Sequence, residues 1–503
     1  MESLLSGFEV ALSLQNVFYV FIGVLVGTVV GLLPGLGPTA AISILLPFTF
    51  SLEPASAIIL LAGIYYGSMF GGRIPAILMN LPGDSSSVVT TFDGFPLRQQ
   101  GKAGIALTIT AVGSFIGGTI AILGLTLLAP MISKWALNIG PPEMFLLAFA
   151  GLMMIALLVE QHRIAAFSAA GIGVLLAAVG TDSVTGAPRF TFGSFSLMDG
   201  ISIVPLAVGL FGLSELMLEA ERRFAPSKVG NVGSLRPSKA EWLQTRMAIV
   251  RASIIGFIIG ILPGGGGTLS SVLAYGVEKR FSKHPEKFGK GAVDGIAATE
   301  TADNASANAS FIPLLTLGIP PNSVLAVIAG ALMLQGVSPG PRLIVNEPDI
   351  FWGVIASMYI GSIMLLVLNL PLIGVFTKIL EIPPYILLSV ILAVSIAGVY
   401  SVRNNWFDLL VMALAGLMGY IFKKLSVPVA PFILAFVLAP ILEGEFRTTM
   451  LISHGDLSVF VTRPVSLVII IVVAAVATFY SIASARSSKA QRAKLANPEF
   501  SQR

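Results

Sequence analysis

Read for the spacing of its apolar and polar positions, the chain resolves into apolar runs near 17–33, 103–130, 143–160, 164–181, 198–218, 348–370, 384–400, 407–424 and 464–485. Each approaches the ~20 residues that a helix needs to cross a bilayer. Two further apolar stretches, 39–85 and 252–337, are interrupted repeatedly by Gly, Pro, Ser and Asn and predict short or broken helices. A polar linker from Glu219 to Arg251 parts the halves, and a basic loop runs from Lys279 to Lys290. The tail beyond Ser484 carries Arg486, Lys489, Arg492 and Lys494 and reads as a disordered cytoplasmic end. The pattern predicts an all-α polytopic membrane protein of about 10–12 spans or hairpins. Its expected divisions are a first transmembrane repeat 1–218, a cytoplasmic linker 219–251, a second repeat 252–485 and a tail 486–503.

The repeats rest on a two-part cassette. Gly31-Leu32-Leu33-Pro34-Gly35-Leu36-Gly37-Pro38-Thr39 returns as Gly260-Ile261-Leu262-Pro263-Gly264-Gly265-Gly266-Gly267-Thr268. Downstream, Ile74-Pro75 and Leu81-Pro82-Gly83-Asp84-Ser85 return as Ile312-Pro313 and Ile319-Pro320-Pro321-Asn322-Ser323, with the same spacing between the prolines. Glycine and proline inside apolar runs free backbone groups, which survive in a membrane only when buried in protein or facing a watery cavity. Matched breaks in two halves are the best sequence pointer to a transporter's binding site.

Charge sharpens the topology. No Lys or Arg precedes Arg73, whereas the second glycine cassette has Arg246 and Arg251 before it and Lys279, Arg280 and Lys283 after it. Basic loops favour the cytoplasm. If both flanks are cytoplasmic, 252–278 is too short for two spans and must be a re-entrant hairpin with Pro263 to Gly267 at its tip. The first cassette would then enter from the opposite side, making an inverted-topology repeat. The alternative is a single broken helix that crosses fully and leaves one basic flank outside.

Composition limits the function classes. Hydrophobic residues make up 55% of the chain and charged residues 11%, against roughly 25% charged in soluble domains. The net charge of +4 sits in loops and argues topology rather than nucleic-acid binding. Cysteine is absent, which excludes disulfides, thiolate metal sites and cysteine nucleophiles. No basic residue precedes the first apolar run and no small-residue cleavage site follows it, so that span is expected to stay in the mature protein.

Three groups of residues are candidate ligand contacts. Gly35, Gly37, Pro38 and Thr39, with Gly264, Gly265, Gly266, Gly267 and Thr268, would let backbone approach a ligand. Helices starting at Thr39 or Thr268 would turn N–H groups towards an anion, while the carbonyls of Gly35, Gly37, Gly264 and Gly266 could hold sodium. The plainer reading is that these glycines only permit close helix packing. The second group joins Asn80, Pro82, Gly83, Asp84, Ser85, Ser86 and Ser87 with Gly318, Pro320, Pro321, Asn322 and Ser323; its plainer reading is a capped helix start. The third is Glu300 to Asn308, where Asn304 and Asn308 share a helical face with Glu300 one turn earlier. Embedded ionisable residues are functional by default, although Glu300 and Asp303 could sit in a cytoplasmic loop.

Weaker signals are set aside. Gly-Leu-Gly-Pro-Thr-Ala from Gly35 matches a loose dinucleotide fingerprint but lacks its strand and βαβ unit. Arg73 could attract an anion, or snorkel to the interface. His162, His284 and His454 show no ligand spacing, and neither a His-Glu-x-x-His nor a Walker A sequence occurs. Leu81-Pro82-Gly83-Asp84 lacks the leading glycine and the Tyr-Asp partner of intramembrane aspartyl proteases. An enzyme is not expected, and no cofactor is called for.

These cassettes, together with Phe92-Asp93-Gly94-Phe95-Pro96, Gly101-Lys102-Ala103-Gly104, Gly260 to Gly289, Ala298 to Ala305 and Ile312 to Asn322, resemble the large membrane subunit of the tripartite tricarboxylate transporters, the TctA family. The likeness runs in order from about residue 20 to about residue 440. It implies a bacterial inner-membrane secondary transporter driven by sodium or protons, importing citrate or another carboxylate by elevator motion. It implies a small four-helix membrane partner and a periplasmic solute-binding protein, and is compatible with a homodimer of the membrane complex. The chain departs from the family's frequent Pro-Gly-Thr-Pro at Pro82 to Ser85 and from its Ile-Pro-Gly-Ser at Ile319 to Asn322, so citrate need not be the substrate. Asp84 would repel a carboxylate unless it pairs with a cation or points away. The rival class is a passive channel or a membrane scaffold, which would show a continuous polar pore face or need no matched cassettes.

Overall fold

A computed structural model describes residues 2–33, 35–137, 139–158, 162–182, 184–221, 232–380, 382, 384–475 and 478. The fold is helical apart from a two-residue antiparallel ladder, Gly180–Thr181 against Pro188–Arg189. Among the described residues, eight helices are long and apolar enough to cross a membrane. They are Leu14–Leu32, Pro54–Met79, Ala103–Ala136, Ile203–Glu221, Lys239–Ile261, Pro348–Asn369, Trp406–Lys424 and Val429–Ile452. The runs expected at 143–160, 164–181, 384–400 and 464–485 form shorter apolar helices over their described parts. The tail 486–503 lies outside the described residues.

The chain forms two compact units. One comprises Asn138–Ala178 and Leu425–Arg503. Within it Phe145 packs against Phe446 and Phe460, and Arg463 Nε donates to the buried Glu143 carboxylate at 2.6 Å. The other, Met1–Leu137 with Val179–Lys424, contains all of both cassettes.

In that larger unit the first cassette spans α1 (Leu14–Leu32), α2 (Gly37–Leu45), α3 (Pro54–Gly71), α4 (Arg73–Met79), α5 (Val88–Gln99) and the 34-residue α6 (Ala103–Ala136). The second spans α7 (Lys239–Ile261), α8 (Gly266–Phe281), α9 (Val293–Ala309), α10 (Phe311–Leu317) and α11 (Ser323–Leu334). The breaks coincide in conformation as well as position. Leu33 and Leu262 cap their helices in extended conformation, each donating its N–H three residues back. Gly35 and Gly264 follow at φ 91° and 76°, then Gly37 and Gly266 at 51° and 55°. These are left-handed values that glycine alone adopts cheaply.

The Pro-broken helices match too. Asn80 and Gly318 close α4 and α10 in left-handed conformation, and the next N–H, of Leu81 or Ile319, returns to the carbonyl of Pro75 or Pro313. The interruption at Ile74-Pro75 itself is slight. Gly72 keeps helical angles and its N–H still reaches Ser68, so Pro75 removes one donor without turning the chain, and the real break falls after Met79.

Two further expectations change. The stretch 219–251 is not a linker throughout: a capping box of Ser238 and Glu241 starts α7 at Lys239, while 222–231 lie outside the described residues. Glu300 and Asp303 are not in a loop but in α9, every residue of which is buried. The tight packing around α9 explains this: Gly256 and Gly260 of α7 bring its backbone against Ala302 and Ser306, where a Cβ would collide. Gly27 and Gly31 of α1 do the same against Ile64 and Ser68 of α3. Close helix packing thus falls on Gly27, Gly31, Gly256 and Gly260, whereas a Cβ on the loop glycines Gly37 and Gly266 would meet nothing within 4 Å.

Candidate functional site

The α7–α8 segment is a helix–turn–helix. Its arms are tied by Arg251, whose Nε and Nη2 donate to both oxygens of the Glu278 carboxylate at 2.8–2.9 Å. A bidentate pair fixes the geometry as well as the charge. At the turn, Gly264 N–H donates to Pro321 O at 2.8 Å, joining the glycine loop to the loop before α11.

The two cassettes then meet crosswise. Thr39 Oγ1, on α2, lies 3.1 Å from Ser323 Oγ at the start of α11. Thr268 Oγ1, on α8, lies 2.9 Å from Ser85 Oγ in the loop before α5. Thr39 and Thr268 are equivalent positions, as are Ser85 and Ser323, so each half lends its glycine-loop helix to the other half's broken helix.

Asn322 caps α11, and its equivalent Asp84 closes a turn ahead of α5, whose N-cap is Ser87. Asp84 Oδ1 accepts from Ser87 N at 2.9 Å and Ser86 Oγ at 2.8 Å, and Asn322 Oδ1 accepts from Leu325 N at 3.0 Å. Asn322 Nδ2 also donates to the Tyr65 hydroxyl at 3.2 Å. The expected capping role holds for Asn322 but not for Asp84, because α5 starts later, behind Ser87; both residues border an open space.

That space is a cavity of about 850 Å³. Its lining includes Gly35, Gly37, Pro38, Thr39, Pro82, Gly83, Asp84, Ser85, Ser86, Gly266, Gly267, Thr268, Asn322 and Ser323. Other candidates stand back from it. Asn80 closes α4 at an exposed position, while Gly265, Pro320 and Pro321 are buried behind the lining. Asn304 and Asn308 do share a face of α9, but that face is not on the cavity. Asn304 Nδ2 donates to Ser114 Oγ at 2.9 Å and to Glu300 O at 3.1 Å, and Asn308 Nδ2 to Asn304 O at 2.9 Å.

Some lining residues carry no repeat signal. Tyr65 and Met69 come from α3, Phe211 and Glu215 from the helix Ile203–Glu221, and Lys423 from the end of Trp406–Lys424. Lys423 Nζ pairs with the Glu215 carboxylate. It is the one cationic side chain among the described lining residues, beside the two carboxylates of Glu215 and Asp84.

Arg73 does not snorkel. It is buried with its guanidinium 3.7 Å over the Phe70 ring, and its Nε and Nη1 have no hydrogen-bond partner. Asp93, noted in the sequence only for its motif, is a buried acid with both carboxylate oxygens engaged. Its Oδ1 accepts from the N–H groups of Gly289, Gly291 and Ala292, each at 2.8 Å, and its Oδ2 from the Tyr275 hydroxyl at 2.9 Å.

Apolar spans with paired broken helices meeting at one cavity are the architecture of a membrane transport protein. The chain belongs to the tripartite tricarboxylate transporter TctA family, whose sequence model matches residues 17–434. It is thus the multi-pass membrane component of a bacterial tripartite transporter, not an enzyme. It is 45% identical over 493 residues to an uncharacterised 52.8 kDa protein in the TAR-I ttuC' 3' region of Agrobacterium vitis, covering 97% of this chain and 98% of that one. An uncharacterised protein in the TAR-II ttuC' 3' region of the same organism is 49% identical over 211 residues, 42% of this chain and 87% of its own. No solved structure matches the chain.

Proposed function

We propose that this chain imports a carboxylate into the cell by ion-coupled alternating access, receiving it from a periplasmic solute-binding protein and working beside a small four-helix membrane subunit. The observation that carries the reading is the crosswise pairing of Thr39 with Ser323 and Thr268 with Ser85 around one cavity. Helix N-termini from both halves bring N–H groups and hydroxyls to that cavity, and Lys423 supplies a positive charge. Together they suit an anion with several acceptor oxygens. Asp84 is already occupied by Ser86 and Ser87, which moderates its repulsion of such a ligand.

The inverted repeat is part of this reading. Arg251 and Glu278 tie the α7–α8 arms about ten residues from the turn, or ~15 Å along each helix. That is half the ~30 Å hydrocarbon thickness, the depth at which a re-entrant tip would sit. The α1–α2 turn, with basic-free flanks, would enter from the periplasmic face. Elevator motion would carry the cavity past the helices that bear Glu215 and Lys423.

The test is reconstitution of the chain with its membrane and periplasmic partners in liposomes, with a panel of di- and tricarboxylates and an imposed sodium or proton gradient. Accumulation above the external concentration is expected for at least one carboxylate. Equilibration without accumulation would make the protein a passive channel.

A further inference from the structure

One layer behind the cavity, α9 carries Glu300 and Asp303 one turn apart, 1% and 2% exposed. Glu300 Oε1 accepts from Thr90 Oγ1 of α5, but Oε2 has no partner. Asp303 Oδ1 has none either, and the adjacent Thr301 hydroxyl is likewise unpaired. The charges facing this pair are few. Around α9, α3 contributes Tyr65 and α4 contributes Arg73, and the loop before α5 contributes Asp84. The charged residues of α7 and α8 do not serve it: Arg251 binds Glu278, Glu241 pairs with Lys102, and Lys239, Arg246, Lys279 and Arg280 are exposed, while the Tyr275 hydroxyl is given to Asp93. From α6 comes only the neutral Ser114. Three carboxylates therefore face one arginine.

With only Thr90 and a shared Arg73 for Glu300, and only Ser86 for Asp303, the ionised forms of these buried carboxylates are under-compensated. The shortage is met by a cation. A proton is the cation that needs no ligand beyond the carboxylate itself, and Glu300 Oε2 and Asp303 Oδ1 each have a lone pair free to take one. A route to the cavity is present. Gly267, on the cavity wall, packs so closely on Asp303 Oδ1 that a Cβ there would collide with it, and Ser86 touches the same point. Ser86 in turn donates to Asp84, which lines the cavity.

We propose that Glu300 and Asp303 are a proton-binding carboxylate pair, loaded from the cavity through Asp84 and Ser86, and that this pair carries the coupling proton. The coupling half of this inference rests on the proposed transport function; the protonation half does not. Proton binding at Asp303 makes its orphan oxygen an O–H donor and removes one negative charge beside Gly267, so the glycine turn at the cavity senses the loaded state.

The first test needs no substrate. Infrared spectra of the purified full-length protein at neutral pH should show a protonated-carboxyl C=O band that E300Q and D303N each diminish. Asp294→Asn should leave the band intact, because that carboxylate already accepts from Ser282 and Gln244. Absence of the band in the wild type, or its persistence in both E300Q and D303N, would overturn the proposal. In liposomes carrying the whole complex, both variants should retain carboxylate exchange at zero gradient and lose at least tenfold of the accumulation driven by a pH gradient. Full gradient-driven accumulation by both would overturn the coupling claim. If the band behaves as expected but the wild type transports no carboxylate, the proton site stands and the transport reading falls.

Discussion

Thr39 Oγ1 lies 3.1 Å from Ser323 Oγ, and the equivalent Thr268 Oγ1 lies 2.9 Å from Ser85 Oγ. Residues far apart in sequence are thus paired twice under one rule, which is what two copies of a single unit produce when they interlock. On the proposed reading these hydroxyls also face the ligand. Thr39→Val and Thr268→Val should each remove about 1 kcal/mol of interaction, or ~5-fold in carboxylate affinity. Ligand titration of the purified protein checks this. Unchanged affinity in both variants would make the pairs purely structural.

The glycine turn separates strain from collision. A Cβ at Gly266 meets nothing within 4 Å, but its φ of 55° is left-handed. Gly266→Ala should therefore cost only ~1–2 kcal/mol of backbone strain. Gly267→Ala would drive a methyl into Asp303 Oδ1, Met69 and Ser86, and should abolish uptake with the protein still inserted in the membrane. Uptake by Gly267→Ala matching that of Gly266→Ala would contradict this packing.

Charge at the cavity gives a sign test. Lys423 is held by Glu215, so Lys423→Gln should weaken carboxylate binding at least ~10-fold, about 1.4 kcal/mol. Glu215→Gln frees the lysine and should tighten binding by about 1 kcal/mol. Opposite signs in a titration are the expected outcome; equal losses would mean the pair only braces the fold.

Asp93 binds the loop before α9 to α5 through three backbone donors and Tyr275. Asp93→Ala leaves the buried Ala292 N–H unpaired and removes the partner of three partly exposed donors, and should cost ~2–3 kcal/mol, whereas Tyr275→Phe should cost about 1 kcal/mol. Thermal unfolding in detergent would rank them, and a larger shift for Tyr275→Phe would refute the assignment.

Much of the site was legible because glycine and proline fix local conformation. The breaks at Gly35–Gly37, Gly264–Gly266, Pro82 and Pro320 fall where the sequence places them, with matched left-handed angles at the glycines. The capping box Ser238-x-x-Glu241 was also readable, yet the polar character of that stretch suggested a linker instead of the start of α7. Helical periodicity placed Asn304 and Asn308 on one face but could not say that Ser114 of α6, not the cavity, lies opposite. Lys423 and Glu215 lie outside both cassettes and every candidate group. Their meeting depends on tertiary packing, for which neither carries a local signal.

The central claim, that the two halves enter the membrane from opposite sides, is tested most directly by side-specific thiol labelling. The natural chain has no cysteine, so single cysteines report cleanly. Leu12 and Lys239 are exposed near the starts of α1 and α7, the equivalent arms of the two cassettes. An impermeant maleimide should label Leu12→Cys only from the periplasmic side and Lys239→Cys only from the cytoplasmic side. Labelling of both from the same side would contradict the inverted repeat.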